Sequence, residues 1–507
     1  MKIFLYTTLI IFLFGSINKV SACFPFGIGF STQEDIDNFQ SDYPNCTEIE
    51  GELIVAGPSI FNLDGLSSIT SIGGGLNIAN TSLTSLSGLN YVTSIGGSFD
   101  FQNNTSLADI SALSNLTSIQ GYFILDGNTA LTSLAGLENI SSIGEYFALY
   151  DNEALVHLVG LDKLTYVGDG LILRDNDALL NLTGLEELTT IDNELTVSDN
   201  SSLENISALI KLTTIEGSLE IDNNPALTSI SGMNNLVSIG DYLDIIENVA
   251  LIEITGLNNL MSINGDVYIS DNSSLENISA MNSLATINGY LYVGYNDALM
   301  DITGLTNLTS IEGQFEISGN SSLSNLSAFE SLTTIDGNLT IRGNSALSSL
   351  SGLQNIDPNT IISTYDEDLT IVNNDNLSEC EVQSICAFLD LEDKTMAVYG
   401  NKSGCENASE IIDACSTVNT YDNEWSSNSI IVYPIPASNY FRIDFERSNK
   451  TDSQIRLIDI SGRVLMSLKL DNNKTTEFDL SSISAGLYII NISDGNNSIN
   501  KKLIVER

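Results

Sequence analysis

Residues 89–112 read LNYVTSIGGSFDFQNNTSLADISA, and residues 113–136 read LSNLTSIQGYFILDGNTALTSLAG. The unit returns with its anchor at positions 66, 89, 113, 137, 161, 185, 209, 233, 257, 281, 305, 329 and 353; the first interval is 23 residues and every later one is 24. A fixed period of this length marks a solenoid, in which each repeat is one coil stacked on the next. With the anchor counted as column 0, apolar residues fall at columns 3, 6, 10, 12, 18 and 21. In the coil from Leu305 these are Leu308, Ile311, Phe315, Ile317, Leu323 and Leu326, followed by the next anchor, Phe329. The pair at columns 10 and 12 alternates with polar neighbours, the period-2 mark of a short strand. The other pairs are too short for a helical stripe, so each coil has three extended or turning sides around an apolar interior. One coil alone buries too little to offset the ordering of its backbone, and stacking supplies the rest. The expected fold is all-β: a right-handed parallel β-solenoid of about fourteen coils, roughly 65 Å long at the spacing of paired strands.

Two columns follow from backbone chemistry. Column 15 is asparagine in eleven successive coils: Asn104, Asn128, Asn152, Asn176, Asn200, Asn224, Asn248, Asn272, Asn296, Asn320 and Asn344. An asparagine amide can bond the turn of its own coil and that of its neighbour, forming an internal structural ladder. Column 8 is mostly glycine, with Asp169, Asn193, Asp241 and Glu145 as substitutes. Glycine, asparagine and aspartate suit a left-handed turn, which is the expectation for this column, although Glu145 breaks the pattern. The decapeptide DNSSLENISA occurs at 199–208 and again at 271–280, three coils apart, as growth by internal duplication would leave it.

Cys46-Thr-Glu-Ile-Glu-Gly-Glu-Leu-Ile-Val55, and the pattern L..L.SI.G.L.I..N..L that follows, resemble the receptor L domain, a leucine-rich β-helical module. The resemblance spans roughly residues 32–415 and implies a solenoid that binds and does not catalyse. This array is longer and more regular than one receptor module, so receptor-type ligands do not carry over.

The remainder of the chain divides by composition. Residues 1–22 read as a signal peptide, with Lys2, an apolar stretch over 3–14 and a Val20-Ser21-Ala22 cleavage site. No later segment suggests a transmembrane span. Residues 23–45 form an N-terminal cap with a short helix over 31–39, Glu34 and Asp35 in its first turn. Cys23 also fits a lipoprotein box, but lipidation would leave Cys46 odd, so Cys23 and Cys46 are expected to be paired. The solenoid occupies 46–379. Residues 380–415 hold Cys380, Cys386, Cys405 and Cys415 and a helical run over 381–389. Their spacing lacks the close pairs that zinc sites use, and an exported chain favours two disulfides, whose pairing the sequence leaves open. Residues 416–429 are a polar linker.

Residues 430–507 change character, with alternating strands at Ile430–Tyr433, Tyr440–Phe445, 455–460, 463–470, 487–492 and 501–505, as in a small Ig-like β-sandwich. Val432-Tyr-Pro-Ile-Pro436, Arg456-Leu-Ile-Asp-Ile-Ser-Gly462, Leu480-Ser-Ser-Ile-Ser-Ala-Gly-Leu-Tyr488 and Lys501-Lys-Leu-Ile-Val505 together resemble the type A C-terminal sorting domain of the type IX secretion system of Bacteroidota. Ile435 departs from the asparagine usual between the prolines. The resemblance implies export across the outer membrane, through the type IX machinery as partner, to the cell surface or the medium. It also implies removal of the domain on the way.

Charge narrows the partners. Residues 23–429 carry 6 basic and 56 acidic side chains, whereas 430–507 carry 10 and 9. So acidic a surface is repelled by nucleic acid and by anionic lipid. Asp175, Asp199, Asp222 and Asp271 offer oxygens to surface calcium, but no calcium-loop spacing is present, and no cofactor or metal site is expected.

Outward positions of the main strand, columns 9, 11 and 13, are mostly Ser, Thr, Asp or Glu. Two clusters differ: Tyr122, Tyr146 and Tyr150, and the three-coil set Tyr242, Asp244, Asp266, Tyr268, Tyr290 and Tyr292. Tyrosine gives rigid area with a polar tip, suited to sugars or proteins, though such pairs also pack across strands. The second cluster is the candidate ligand-binding site. The lone histidine, His157, has no catalytic company, and no nucleophile set or phosphate loop appears, so no catalytic residue is expected. The expected function is non-catalytic surface binding, adhesion to or recognition of a glycan or protein. The alternatives are a structural surface-layer spacer and a carbohydrate-active enzyme.

Overall fold

The computed structural model describes residues 21–363, 366–418, 430–433, 437, 439–445, 454–459, 463–469, 475–481, 483–493 and 498–505. Residues 1–20 of the signal-peptide reading and most of the linker lie outside these residues, as does the Pro434–Pro436 part of the sorting motif. The chain forms two compact units, residues 1–415 and 416–507.

In the first unit each coil contributes a four-residue strand at columns 10–13, such as Phe99–Gln102, to one long parallel sheet. That sheet has sixteen strands, from Ile28–Phe30 to Met396–Tyr399. A two-residue strand at columns 5 and 6, such as Ser94–Ile95, builds a second parallel sheet of fourteen strands. The third side is held by single bridges, including Ser229 to Glu253 and Glu253 to Asn277, and by short 3-10 turns such as Ser279–Met281. Register advances by one whole coil, so Phe123 pairs with Phe99 on one side and Phe147 on the other. Each apolar column therefore stacks on itself. Leu308, Ile311, Phe315, Ile317, Leu323, Leu326 and Phe329 are all buried, in a core that runs unbroken from Phe30 to Cys415.

The long sheet has two more rungs than the repeat suggests. Ile28–Phe30 and Met396–Tyr399 come from the segments assigned as caps. Both ends thus continue the sheet before closing it. At the start, a helix α1 (Gln33–Asp42) buries Ile36 and Phe39 over the first coil. Its first turn is closed by a capping box in which Thr32 and Asp35 bond each other's backbone amides. Cys23 is bonded to Cys46. At the far end Cys380 is bonded to Cys405 and Cys386 to Cys415. Helix α2 (Gln383–Leu389) buries Ile385 and Phe388. Helix α3 (Ala408–Val418), absent from the sequence reading, carries Cys415 and runs into residues assigned to the linker.

The asparagine column lies wholly inside. Asn224, for example, donates from Nδ2 to the Val197 carbonyl (2.8 Å), to the Asp222 carbonyl (2.9 Å) and to Asn248 Oδ1 (3.2 Å). Its own Oδ1 accepts from the Asn200 amide at 3.1 Å. The pattern repeats from Asn104 to Asn344 and runs on to Asn374 and Asn401.

The expectation for column 8 is corrected. None of its glycines is left-handed; the positive-φ positions of the repeat are column 14, with Asn103, Asp151, Asp175, Asp199, Asn223 and Asp271, and the glycines that close the coil at column 23, such as Gly160 and Gly184. Column 8 is small because the preceding coil lies against it: a Cβ on Gly313 would come within 2.7 Å of Gly289 backbone. Glu145 needs no left-handed backbone and so breaks no rule of conformation.

The second unit has two antiparallel sheets. One orders Ile430–Tyr433, Tyr440–Phe445 and Thr475–Asp479; the other orders Val464–Lys469, Gln454–Asp459, Gly486–Ser493 and Ser498–Val505. Phe441 and Phe478 stack at 4.6 Å in a core with Ile443, Leu457, Ile490 and Leu503.

Candidate recognition face

The strand period turns columns 9, 11 and 13 outward, and the register places equal columns side by side. Asp244, Tyr268, Tyr292 and Glu316 are consecutive partners in column 11. Column 9 brings Tyr242, Asp266 and Tyr290 alongside them. The ring centroids of Tyr268 and Tyr290 lie 5.5 Å apart with planes at 86°, those of Tyr268 and Tyr292 6.1 Å apart at 55°, and those of Tyr290 and Tyr292 6.0 Å apart at 38°. The three rings thus pack against one another as one aromatic cluster. Tyr290 is fixed at both ends: its hydroxyl donates to Glu316 Oε2 at 2.7 Å and its amide to Asp266 Oδ1 at 2.7 Å.

Beside this cluster, and sharing Tyr268 with it, is a cavity of about 260 Å³ lined by Asp241, Tyr242, Asp244, Gly265, Asp266 and Tyr268. Asp244 Oδ1 is buried there with no hydrogen-bond partner among the described residues. Burial, with Glu220, Asp222 and Asp266 nearby, pushes the Asp244 carboxyl up to about 7. Burial and the charges of Glu247, Asp199 and Glu220 push Asp222 up to about 6. Burial and Glu316 raise the Tyr292 phenol to about 12, and burial with the Glu316 hydrogen bond raises Tyr290 further. Between Lys211 and Arg342 there is no lysine, arginine or histidine, and there are sixteen acidic residues.

Tyr295, at column 14, was not singled out in the sequence. Its backbone is left-handed (φ 54°), where other coils carry mostly Asn, Asp or Gly, and it is 50% exposed. Its ring lies over Gly319, where a Cβ would fall 2.7 Å from the ring. Tyr292 likewise folds over Gly294. The signal was available in the column itself, as the one aromatic residue at that place. The same three coils depart on the second side. There Thr or Ser hydroxyls of column 4 bond the preceding coil, as in Thr189 to Thr165 (2.9 Å) and Thr213 to Thr189 (3.0 Å). Val237, Met261 and Ala285 interrupt that series.

In the other cluster Tyr122 and Tyr146 are parallel neighbours, 5.1 Å apart at 12°, while Tyr150 stands two outward columns away. Asp175, Asp199 and Asp271 occupy the left-handed turns and Asp222 the strand end. Among the described residues no three His, Cys, Asp or Glu side chains are placed to hold a metal ion.

These features define a leucine-rich parallel β-solenoid with an aromatic and acidic outward face, followed by a small antiparallel domain. Residues 45–108 and 307–414 match the family model of the receptor L domain, and 78–200 and 197–323 match the BspA-type leucine-rich repeat region, with six copies. Both families are typically non-enzymatic. Residues 431–506 match the secretion system C-terminal sorting domain, which directs type IX export to the cell surface or beyond and engages that machinery. No curated protein matches the chain. Among the described residues no helix is long and apolar enough to cross a membrane.

Proposed function

We propose that this chain is a non-catalytic recognition protein, delivered by type IX export, that binds an extracellular glycan or protein through the face centred on Tyr268. The observation that carries this reading is the convergence of Tyr268, Tyr290 and Tyr292 within 6.1 Å, three tyrosines on two adjacent outward columns of neighbouring coils. Rigid aromatic anchors with polar rims are what binding hot spots are made of. The test is a glycan and protein array probed with the full chain and with a Tyr268→Ala/Tyr290→Ala/Tyr292→Ala variant of unchanged fold. A saturable ligand lost in the variant is expected. A ligand that binds both equally refutes the face, and no ligand at all supports the spacer reading, which the uniformity of the other coils favours.

A further inference from the structure

Resting on that reading, we infer that the tyrosine cluster and its adjoining cavity take arginine side chains presented by a basic polypeptide partner. The ring geometry comes first. A neutral sugar lies flat on coplanar aromatic faces, and here the planes stand at 86°, 55° and 38° to one another. A small planar guanidinium needs only one exposed ring surface of such a cluster and keeps its N–H groups free to donate.

The cavity is lined by carboxylates that can accept. Asp244 Oδ1 is buried with no donor among the described residues, and Asp266 borders the same space. A buried acceptor without a partner is costly, and a charged donor satisfies it best. The field is acidic over most of the region. Between Lys211 and Arg342 the chain has sixteen acidic and no basic residues, and the flanking Arg342 reaches Glu316 at 3.5 Å. Such a surface draws cations toward it and repels acidic partners.

Tyr295 lies three residues beyond Tyr292 on the same coil, close enough to help raise the Tyr292 phenol. A bulky side chain in a left-handed turn is strained, and Asn, Asp or Gly serves that turn in most coils. Its ring rests on Gly319, the next coil's residue in the same column, and gains a position there that none of the usual residues could fill.

The test uses the full chain and an Arg-Gly repeat peptide, with its citrulline counterpart, which keeps the shape and removes the charge. Saturable binding of the arginine peptide is expected, with the citrulline peptide about tenfold weaker or undetectable. Asp244→Asn and Tyr292→Ala should each weaken it about tenfold. Glu276→Gln, exposed on the third side of the same solenoid, should leave it nearly unchanged. Tyr295→Asn should weaken binding while raising the unfolding temperature, a pairing that a purely structural tyrosine would not give. Equal binding of both peptides, or an equal loss in Glu276→Gln and Asp244→Asn, overturns the inference. So does binding of a glucosamine or N-acetylglucosamine hexamer in place of the peptide. An array ligand lost in the triple alanine variant without affinity for arginine overturns the cationic assignment alone, and loss of both removes the recognition face as well.

Discussion

Asn224→Ala removes one rung of the internal ladder and shows what that ladder is worth. The side chain is fully buried in the middle of the stack. Its loss takes the acceptor from the Asn200 amide (3.1 Å) and the Nδ2 donor from the Val197 carbonyl (2.8 Å). It also breaks the side-chain bonds to Asn200 and Asn248, each 3.2 Å long. The Asp222 carbonyl keeps a second donor, the Asp199 amide at 3.1 Å. At about 1–3 kcal/mol for each buried group that loses its partner, with smaller terms for the side-chain bonds, the cost is about 4 kcal/mol. A long array need not unfold in one step, so a single melting curve is the wrong readout. Hydrogen exchange followed by mass spectrometry resolves individual coils. The opening free energy should fall by about 4 kcal/mol in the coils on either side of the substitution and little at the two ends. The control is Asn235→Ala, which removes an exposed asparagine bonded to the Ile210 carbonyl at 2.7 Å. It should cost less than about 1 kcal/mol. A loss below about 1 kcal/mol at Asn224, or equal losses at both sites, would refute the ladder as a source of stability.

Gly184 has φ 114°, and a Cβ there would lie 2.2 Å from the Leu158 carbonyl oxygen, so Gly184→Ala should cost about 3 kcal/mol, read as a lower denaturant midpoint. Folding raises the Asp244 carboxyl to about 7 and Asp222 to about 6, from an ordinary 3.8. The native state therefore holds protons that the unfolded chain has already released, and unfolding becomes easier as pH rises through that window. The unfolding temperature should fall between pH 5 and pH 8, and Asp244→Asn should flatten the slope; an unchanged slope counts against the burial of this carboxyl. Cys386→Ser/Cys415→Ser opens a link between residues 29 apart, for which loop entropy implies about 3.6 kcal/mol. Limited proteolysis should then cut first at the α2–α3 end, and cleavage beginning elsewhere would show that this link does not hold the end closed.

The repeat made most of the solenoid legible, because a constant period leaves one register in which like residues stack. Phe123 over Phe99 and Phe147 over Phe123 follow from counting alone. The asparagine column was legible for the same reason, since a polar residue recurring beside apolar columns must satisfy itself from coil to coil. Ile28–Phe30 and Met396–Tyr399 were not, because neither follows an anchor at the period, and their pairing depends on how the ends fold back. The partners of Cys380 and Cys386 depend on where α2 and α3 pack, which spacing does not encode. Glycine at column 8 misled because one residue type answers two demands, a left-handed backbone and a close neighbour, and here the second applies. In the recognition face, residue type pointed to Tyr268, Tyr290 and Tyr292, whereas Tyr295 stands out only against the backbone conformation of its column.

The ladder also has a direction. Amides donate forward, to the oxygen of the asparagine one coil on, beginning with the Thr81 backbone to Asn104 (3.1 Å), passing through the Asn104 side chain to Asn128 (3.2 Å), and running backbone to side chain from Asn128 until Asn374 meets Asn401 (2.9 Å). The last amide, Asn401 Nδ2, turns back to the Ile371 and Cys405 carbonyls at 2.7 and 3.0 Å. The two extremities are therefore not interchangeable. A new unit can enter anywhere between them and find its donors and acceptors waiting, but one appended outside Thr81 or Asn401 would meet a terminus already closed. Lengthening from within preserves both ends and shifts everything beyond the insertion by one whole step, so that the distance between two surface features can change while neither is redesigned.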